Sequence, residues 1–156
     1  MADCIESQIT QSIKNAINGK ALTGFTNTIT AELDRINISI NDRYPFVVLS
    51  GPATDTDAKT SEVDECTLEY ALRCFIDIND DSEAANTEIT YITRNVNAEL
   101  IKLIMADRQR GGLAQTTKTT SRGYDFELVG DEIEYYTYVT LEVSALIDTL
   151  DPKLLP

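Results

Sequence analysis

The feature that most constrains this chain is a long run of alternating apolar residues that leads directly into an amphipathic helical pattern. The run covers residues 66–78, and the helical pattern extends from residue 82 to about residue 110. Alternation with a period of two predicts a strand with one buried face, whereas spacings of three and four predict a helix with one apolar stripe. A second alternating run covers residues 134–147. This order predicts a sheet with one long helix laid across it.

Both alternating runs separate an apolar face from a polar one. In the first run the apolar face carries Leu68, Tyr70, Leu72, Cys74, Ile76 and Ile78. In the last run it carries Val139, Leu141, Val143, Ala145 and Ile147. Such clean alternation is typical of antiparallel strands that bury one face only.

Three further segments complete the expected fold. Residues 3–18 read as a helix with a stripe of four isoleucines and a natural stop at Gly19. A short strand or hairpin arm is predicted around residues 35–41, followed by a short buried strand at 44–49. The polar stretch 53–65 is predicted to be an extended acidic loop or a mobile hairpin.

After the long helix, Gly111 and Gly112 predict a left-handed cap. Residues 116–120 are rich in threonine and fit a half-exposed strand, and Gly123 and Gly130 predict turns around a short strand at 124–129. We therefore expect a single α/β (α+β) domain over residues 1–156, with a mostly antiparallel sheet on which an N-terminal helix and one long helix pack.

The chain carries 26 acidic and 13 basic residues, which gives a formal net charge of -13. Binding to nucleic acid needs clustered Lys and Arg, so a chain this acidic is not expected to bind DNA through its overall field. We find no run long enough to span a bilayer and no signal peptide, and therefore expect a cytoplasm-like compartment or release by lysis.

The residue inventory excludes several kinds of catalytic site. With no histidine, zinc sites of mixed ligation and histidine proton relays cannot form. Cys66 and Cys74 lie eight positions apart on one strand, about 26 Å at full extension, which is too far for a disulfide. Both are predicted to be buried, reduced thiols, and we expect no cofactor.

One segment has the spacing of a calcium loop. Its oxygen ligands would be Asp77, Asn79, Asp81 and Glu88, as in an EF-hand. Ser82 stands where the sharp turn needs glycine, and a strand rather than a helix precedes it. An acidic helix start, stabilised by the helix dipole, is the simpler interpretation.

Asp55 and Asp57 are the best candidates for paired catalytic carboxylates. No apolar pocket lies near them in sequence, so a solvated acidic loop is the favoured interpretation. We therefore do not expect an enzyme.

Two tyrosines of the last strand, Tyr136 and Tyr138, share the face opposite the aliphatic one. Either a partner covers that face, since tyrosine is enriched at interfaces, or the rings make ordinary cross-strand pairs. The sequence leaves both explanations open.

The order of the elements and the length of the chain resemble those of the tail terminator (tail completion) proteins of long-tailed bacteriophages. The resemblance covers nearly the whole chain. It includes the Tyr-Pro-Phe-Val-Val-Leu strand at 44–49, the acidic loop at 53–65, the long strand at 68–78, the Gly-Gly-Leu-Ala motif at 111–114 and the closing strand at 135–147. These motifs follow one another in the same order as in that family.

This resemblance implies a structural virion protein. Members of the family form a ring, typically a hexamer, that caps the finished tail tube, stops its polymerisation and meets the head connector. The implied partners are other copies of the chain, the tail tube protein and the head connector or neck protein, with the sheath protein as a further candidate. DNA would pass through the ring without specific binding, the location would be the tail neck of the virion after assembly in the host cytoplasm, and no membrane would be involved.

A closed ring needs two different patches on each subunit. We expect the acidic segment to supply one of them, through Asp55, Asp57, Lys59 and Glu62. The basic helix end would supply the other through Arg108 and Arg110, with Tyr136 and Tyr138 as further interface candidates. The alternatives are a different neck or head-tail joining protein, a small soluble module that binds a ligand under residues 53–65, and last an enzyme.

Overall fold

A computed structural model describes residues 3–33, 45–76, 89–153 and 155, and in these residues two helices pack on a five-stranded sheet. The helices are α1, Ile5–Ile17, and α2, Ile89–Met105, and one turn of 3-10 helix covers Arg110–Gly112. The strands are β1 Thr30–Leu33, β2 Phe46–Ala58, β3 Val63–Ile76, β4 Thr116–Val129 and β5 Glu132–Asp148. The fold is α+β, as the sequence predicts.

The strands lie in the order β1-β2-β3-β5-β4. The pairing of β1 with β2 is parallel, and the other three pairings are antiparallel. At the centre, β3 pairs with β5 over its whole length, from Val63 opposite Asp148 to Ile76 opposite Tyr135. The two outer hairpins, β2–β3 and β4–β5, are therefore joined by their inner strands.

Both helices cover the same face of this sheet. The residues that α1 buries there are Ile5, Ile9, Ile13 and Ile17. Those from α2 are Val96, Leu100 and Ile104, and the sheet contributes the apolar faces predicted for β3 and β5. Burying each such side chain contributes about 1.5–3 kcal/mol. The helix predicted at 3–18 and the aliphatic faces of both long strands are confirmed.

A smaller apolar cluster lies on the opposite face of the sheet. Phe46, Val48 and Phe75 are buried there, and Tyr136 packs against them. Because β2 is apolar on both faces at its start, these residues read as a continuous apolar run in the sequence. The strand predicted at 44–49 is confirmed from Phe46 onward.

The acidic segment 53–65 is a β-hairpin rather than an extended loop. Strands β2 and β3 stay paired down to Ala58 opposite Asp64, and only the turn 59–62 lies outside them. The Thr60 hydroxyl accepts hydrogen bonds from the backbone N–H groups of Glu62 and Val63, at 3.1 and 3.0 Å. The loop prediction was wrong because this part of β2 is exposed on both faces, so no apolar alternation reveals it.

The segment after α2 also differs from the prediction. Residues Thr116–Val129 form one strand with an irregularity between Thr119 and Ser121, and Gly123 lies inside that strand instead of in a turn. The turn at Gly130 is confirmed, with φ at 65°. The helix ends at Met105, about five residues before the predicted end, because residues 106–113 form a series of turns.

Three predictions lie outside the described residues. They are the calcium candidate Asp77, Asn79, Asp81 and Glu88, the strand at 35–41, and the beginning of the long helix at residue 82.

The two strand cysteines are free and buried, as predicted. Burial raises the pKa of the Cys74 thiol from 9.0 to about 12. The unfolded chain therefore loses this proton near pH 9, whereas the folded chain keeps it. Unfolding is thus favoured as the pH rises above 9, by up to about 1.4 kcal/mol per pH unit.

We expect Cys74→Ala to make the free energy of unfolding less dependent on pH between pH 9 and 10.5, measured by urea denaturation under reducing conditions. The variant starts less stable by about 1–2 kcal/mol because of the cavity. Cys4→Ala is the matched control, because Cys4 is half-exposed, and it should follow the wild-type slope. Equal slopes for Cys74→Ala and the wild type would contradict the assignment.

Candidate assembly interface

An apolar stripe is exposed near the end of the β4–β5 hairpin. Tyr124, Phe126 and Leu128, here called the apolar stripe, alternate along β4 with exposed fractions of 44%, 55% and 72%. The Phe126 ring lies 6.3 Å from the ring of Tyr135, its partner on β5. Exposed apolar side chains that share one face mark an interaction surface.

The stripe is exposed because the helices cover β5 but not this part of β4. Across the ladder Tyr124 lies opposite Thr137, which is fully buried on the helix-bearing face. Tyr124 and its neighbours on β4 share that face but remain open to solvent. Sequence reasoning missed the stripe, although the alternation Tyr-Asp-Phe-Glu-Leu at 124–128 was visible. The pattern shows which residues share a face, but not where the covering helices end.

The opposite side of the same hairpin is tied to the centre of the sheet. Glu127 accepts a charged hydrogen bond from Arg73 of β3 at 3.0 Å. The guanidinium of Arg73 lies 5.8 Å and 5.9 Å from the ring centroids of Phe75 and Tyr136. This group holds the hairpin end that carries the stripe.

These contacts bear on the two tyrosine candidates. Tyr136 packs against Phe75, with ring centroids 5.3 Å apart, and burial raises the pKa of its hydroxyl. Tyr138 lies opposite Gly123, where any added side chain would meet the Tyr138 hydroxyl at 2.6 Å. Both tyrosines thus have partners in their own chain, as cross-strand pairing predicts, and their role in an interface stays a prediction.

The acidic hairpin presents its predicted residues to solvent. Asp55, Asp57, Lys59 and Glu62 are all exposed. The ammonium of Lys59 lies 2.6 Å from Glu65, and this hydrogen bond raises the pKa of Lys59. The aspartates lie on the face opposite the helices, since their partners on β3 are Thr67 and Glu65.

Of the two arginines at the helix end, only Arg108 lies at the surface. Arg110 is 1% exposed, and its guanidinium donates hydrogen bonds to the backbone carbonyls of Ile104 and Asp107. Burial lowers the pKa of Arg110. Its backbone has a left-handed φ of 51°, and the next amide, that of Gly111, donates to the Asp107 carboxylate at 2.7 Å.

The prediction that Arg110 contributes to a surface interface is therefore wrong, because it caps the end of α2 from inside. The helix leaves its last carbonyls without intrahelical donors, and the guanidinium supplies them. Periodicity could not distinguish the two arginines, because both follow the last apolar residue of the helix.

In the described part of the chain, no group of three or more Cys, Asp or Glu side chains is arranged to hold a metal ion. Neither α1 nor α2 is both long and apolar enough to cross a membrane. Models of known protein families give no match to the chain, and curated proteins show no significant similarity to it. The function must therefore be argued from the surfaces described above.

We expect Arg110→Met to lower the free energy of unfolding by about 2–4 kcal/mol, because the carbonyls at the end of α2 lose their donors in a buried place. Arg108→Met is the matched control and should change it by less than about 0.5 kcal/mol, since Arg108 is exposed. Urea denaturation measures both. Equal effects of the two substitutions would show that Arg110 has no capping role.

Proposed function

We propose that this protein is a tail terminator of a long-tailed bacteriophage. In this role it is a structural protein that caps the completed tail tube as a ring, stops polymerisation and forms the interface to the head connector. The single observation that carries the proposal is the exposed apolar stripe of Tyr124, Phe126 and Leu128. The order of elements that resembles this family supplies the kind of partner.

The stripe has the chemistry of a docking surface. Aromatic residues are enriched at interfaces, and the centre of an interface is depleted of charge. The charged neighbours of the stripe, Asp125 and Glu127, lie on the other face of the sheet. A tube that is still growing presents a surface that its next ring would cover. A cap stops growth by occupying that surface, and we assign this contact to the stripe.

The proposed assembly is a homohexameric ring at the tail neck of the virion. Its other partners are the head connector and, as a further candidate, the sheath protein. With a net charge of -13, the ring repels the DNA that passes through it. No bond is made or broken in this mechanism.

The deciding experiment is negative-stain electron microscopy of the purified protein, alone and mixed with tail tubes from the same source. The expected result is rings, or tubes of defined length with a cap at one end. The double substitution Phe126→Ser with Leu128→Ser should abolish capping, because it removes the apolar contact. It should change the free energy of unfolding by less than about 0.5 kcal/mol, because both side chains are exposed.

Leu150→Ser is the matched control, since Leu150 is 86% exposed and lies outside the stripe. It should cap tubes as the wild type does. Capping by the double variant would contradict the role of the stripe. A wild-type protein that forms no ring and binds no tube would contradict the terminator proposal. Native mass spectrometry would then test the ligand-binding module, and binding to isolated connectors would test a different neck protein.

A further inference from the structure

The sheet has two exposed strand edges, one on each side. No described strand pairs with the outer side of β4, and residues 116 and 118–122 are exposed. On the other side, β1 pairs with β2 only from Phe46 to Leu49. Beyond that point residues 53–58 of β2 are exposed and pair only with β3 among the described strands. An exposed edge offers unpaired backbone donors and acceptors to another chain.

The directions of these two edges suit a head-to-tail assembly. Strand β2 is antiparallel to β3, and β3 is antiparallel to β5, so β2 and β5 run the same way. Since β4 is antiparallel to β5, it is also antiparallel to β2. A rotation about an axis along the strands preserves their direction. It therefore brings β4 of one copy beside β2 of the next as an antiparallel pair.

The charges of the two edges are complementary. The β4 segment 116–124 carries Lys118 and Arg122 and no acid. The acidic hairpin 53–65 carries five acids and one lysine, and that lysine is bound to Glu65. In a chain with twice as many acids as bases, an edge with bases alone is unusual, and opposite charges across a strand pair are stabilising.

The charged groups also lie at similar heights in the sheet. The ladder places Asp55, Thr67, Ser144 and Thr116 in one row across four strands. Lys118 lies one row away, opposite Glu142, and on the same face as Asp55. When the next copy stands at the same height, its Asp55 meets Thr116 and lies diagonal to Lys118, within reach of a long side chain.

From these observations we propose that copies of this chain join head to tail, with the β4 edge of one copy pairing antiparallel with residues 53–58 of the next. The proposal deepens the ring of the proposed function and rests on it for closure. A two-fold pairing of β4 with β4 would place Lys118 and Arg122 against their own copies. A pairing of β2 with β2 would do the same with Asp55 and Asp57. Only the head-to-tail arrangement sets opposite charges against each other.

Two charge-reversal variants test this arrangement. The first is Asp55→Lys with Asp57→Lys, which makes both edges basic. The second is Thr116→Glu with Arg122→Glu, which makes both edges acidic and leaves the 2.9 Å pair of Lys118 with Glu142 in place. All four positions are exposed, so circular dichroism and the urea midpoint should stay close to wild type.

Association is measured by sedimentation velocity and carbodiimide cross-linking, at low and high salt and up to the solubility limit. Each variant alone should associate at least about tenfold more weakly than wild type. An equimolar mixture should recover association, because the basic β2 edge of one variant meets the acidic β4 edge of the other. Cross-links in the wild type should join Lys118 to Asp55 or Asp57 of a second copy.

Three results would overturn the proposal. They are single variants that associate as the wild type does, a mixture that recovers nothing, and a wild-type protein that stays monomeric without intermolecular cross-links. The outcome is separable from that of the tube experiment. Rings or capped tubes that ignore all four substitutions would refute the edge pairing alone. Edge-paired arrays that bind no tube would refute the terminator role alone.

Discussion

The pairing of β3 with β5 is the contact on which the rest of the structure depends. It joins two strands that are far apart in sequence, and each of the two hairpins contributes one of them. Side chains alternate across a strand, so a slip by one residue would bury Glu69 and Glu142 and expose Leu68 and Leu141. The register is therefore strongly specified. It also sets Glu69 opposite Glu142, and Lys118 relieves that repulsion from β4 at 2.9 Å.

Once this register is set, the two faces of the sheet take different roles. The helix-bearing face is covered over β5 and open over the later part of β4, which leaves the apolar stripe in solvent. The opposite face holds that part of β4 in place, because Arg73 reaches from β3 past Tyr136 to Glu127. The side chain on one side of residue 127 is bound while its neighbours Phe126 and Leu128 point the other way. The stripe is thus presented by a restrained strand, which reduces the entropy lost on binding.

How much of this the sequence predicts depends on where burial imposes a period. In α1, β3 and β5 one face is buried and the other is not, so their residues alternate and the elements are read correctly. In residues 53–58 and along β4, most side chains are exposed on both faces, and the composition of a strand then resembles that of a loop. The candidate site follows the same rule. Asp55 and Asp57 were identified by charge, whereas the exposure of Phe126 depends on where a distant helix ends.

Arg110 shows a different limit of prediction. A basic residue after a helix is expected to interact with the helix dipole from the surface. Here the positive φ of Arg110 turns the chain so that its guanidinium lies inside, against carbonyls of the same helix end. Nothing in the spacing distinguishes it from Arg108. The basic partner for the acidic hairpin therefore has to be sought on β4, where Lys118 and Arg122 lie on an exposed edge.

The same charges limit association as well as direct it. Exposed edges invite uncontrolled pairing, and charged side chains on them are a common protection against it. Here each edge repels its own kind, and the acidic chain repels every other copy at long range, with a net charge of -13. Long-range repulsion is screened within about 8 Å at physiological salt, whereas a diagonal pair such as Asp55 with Lys118 acts at contact. Association should therefore respond to salt in two opposite ways. Salt weakens the local attraction between edges, but it weakens the global repulsion between copies over a longer range, so the edges can meet only where the second effect exceeds the first.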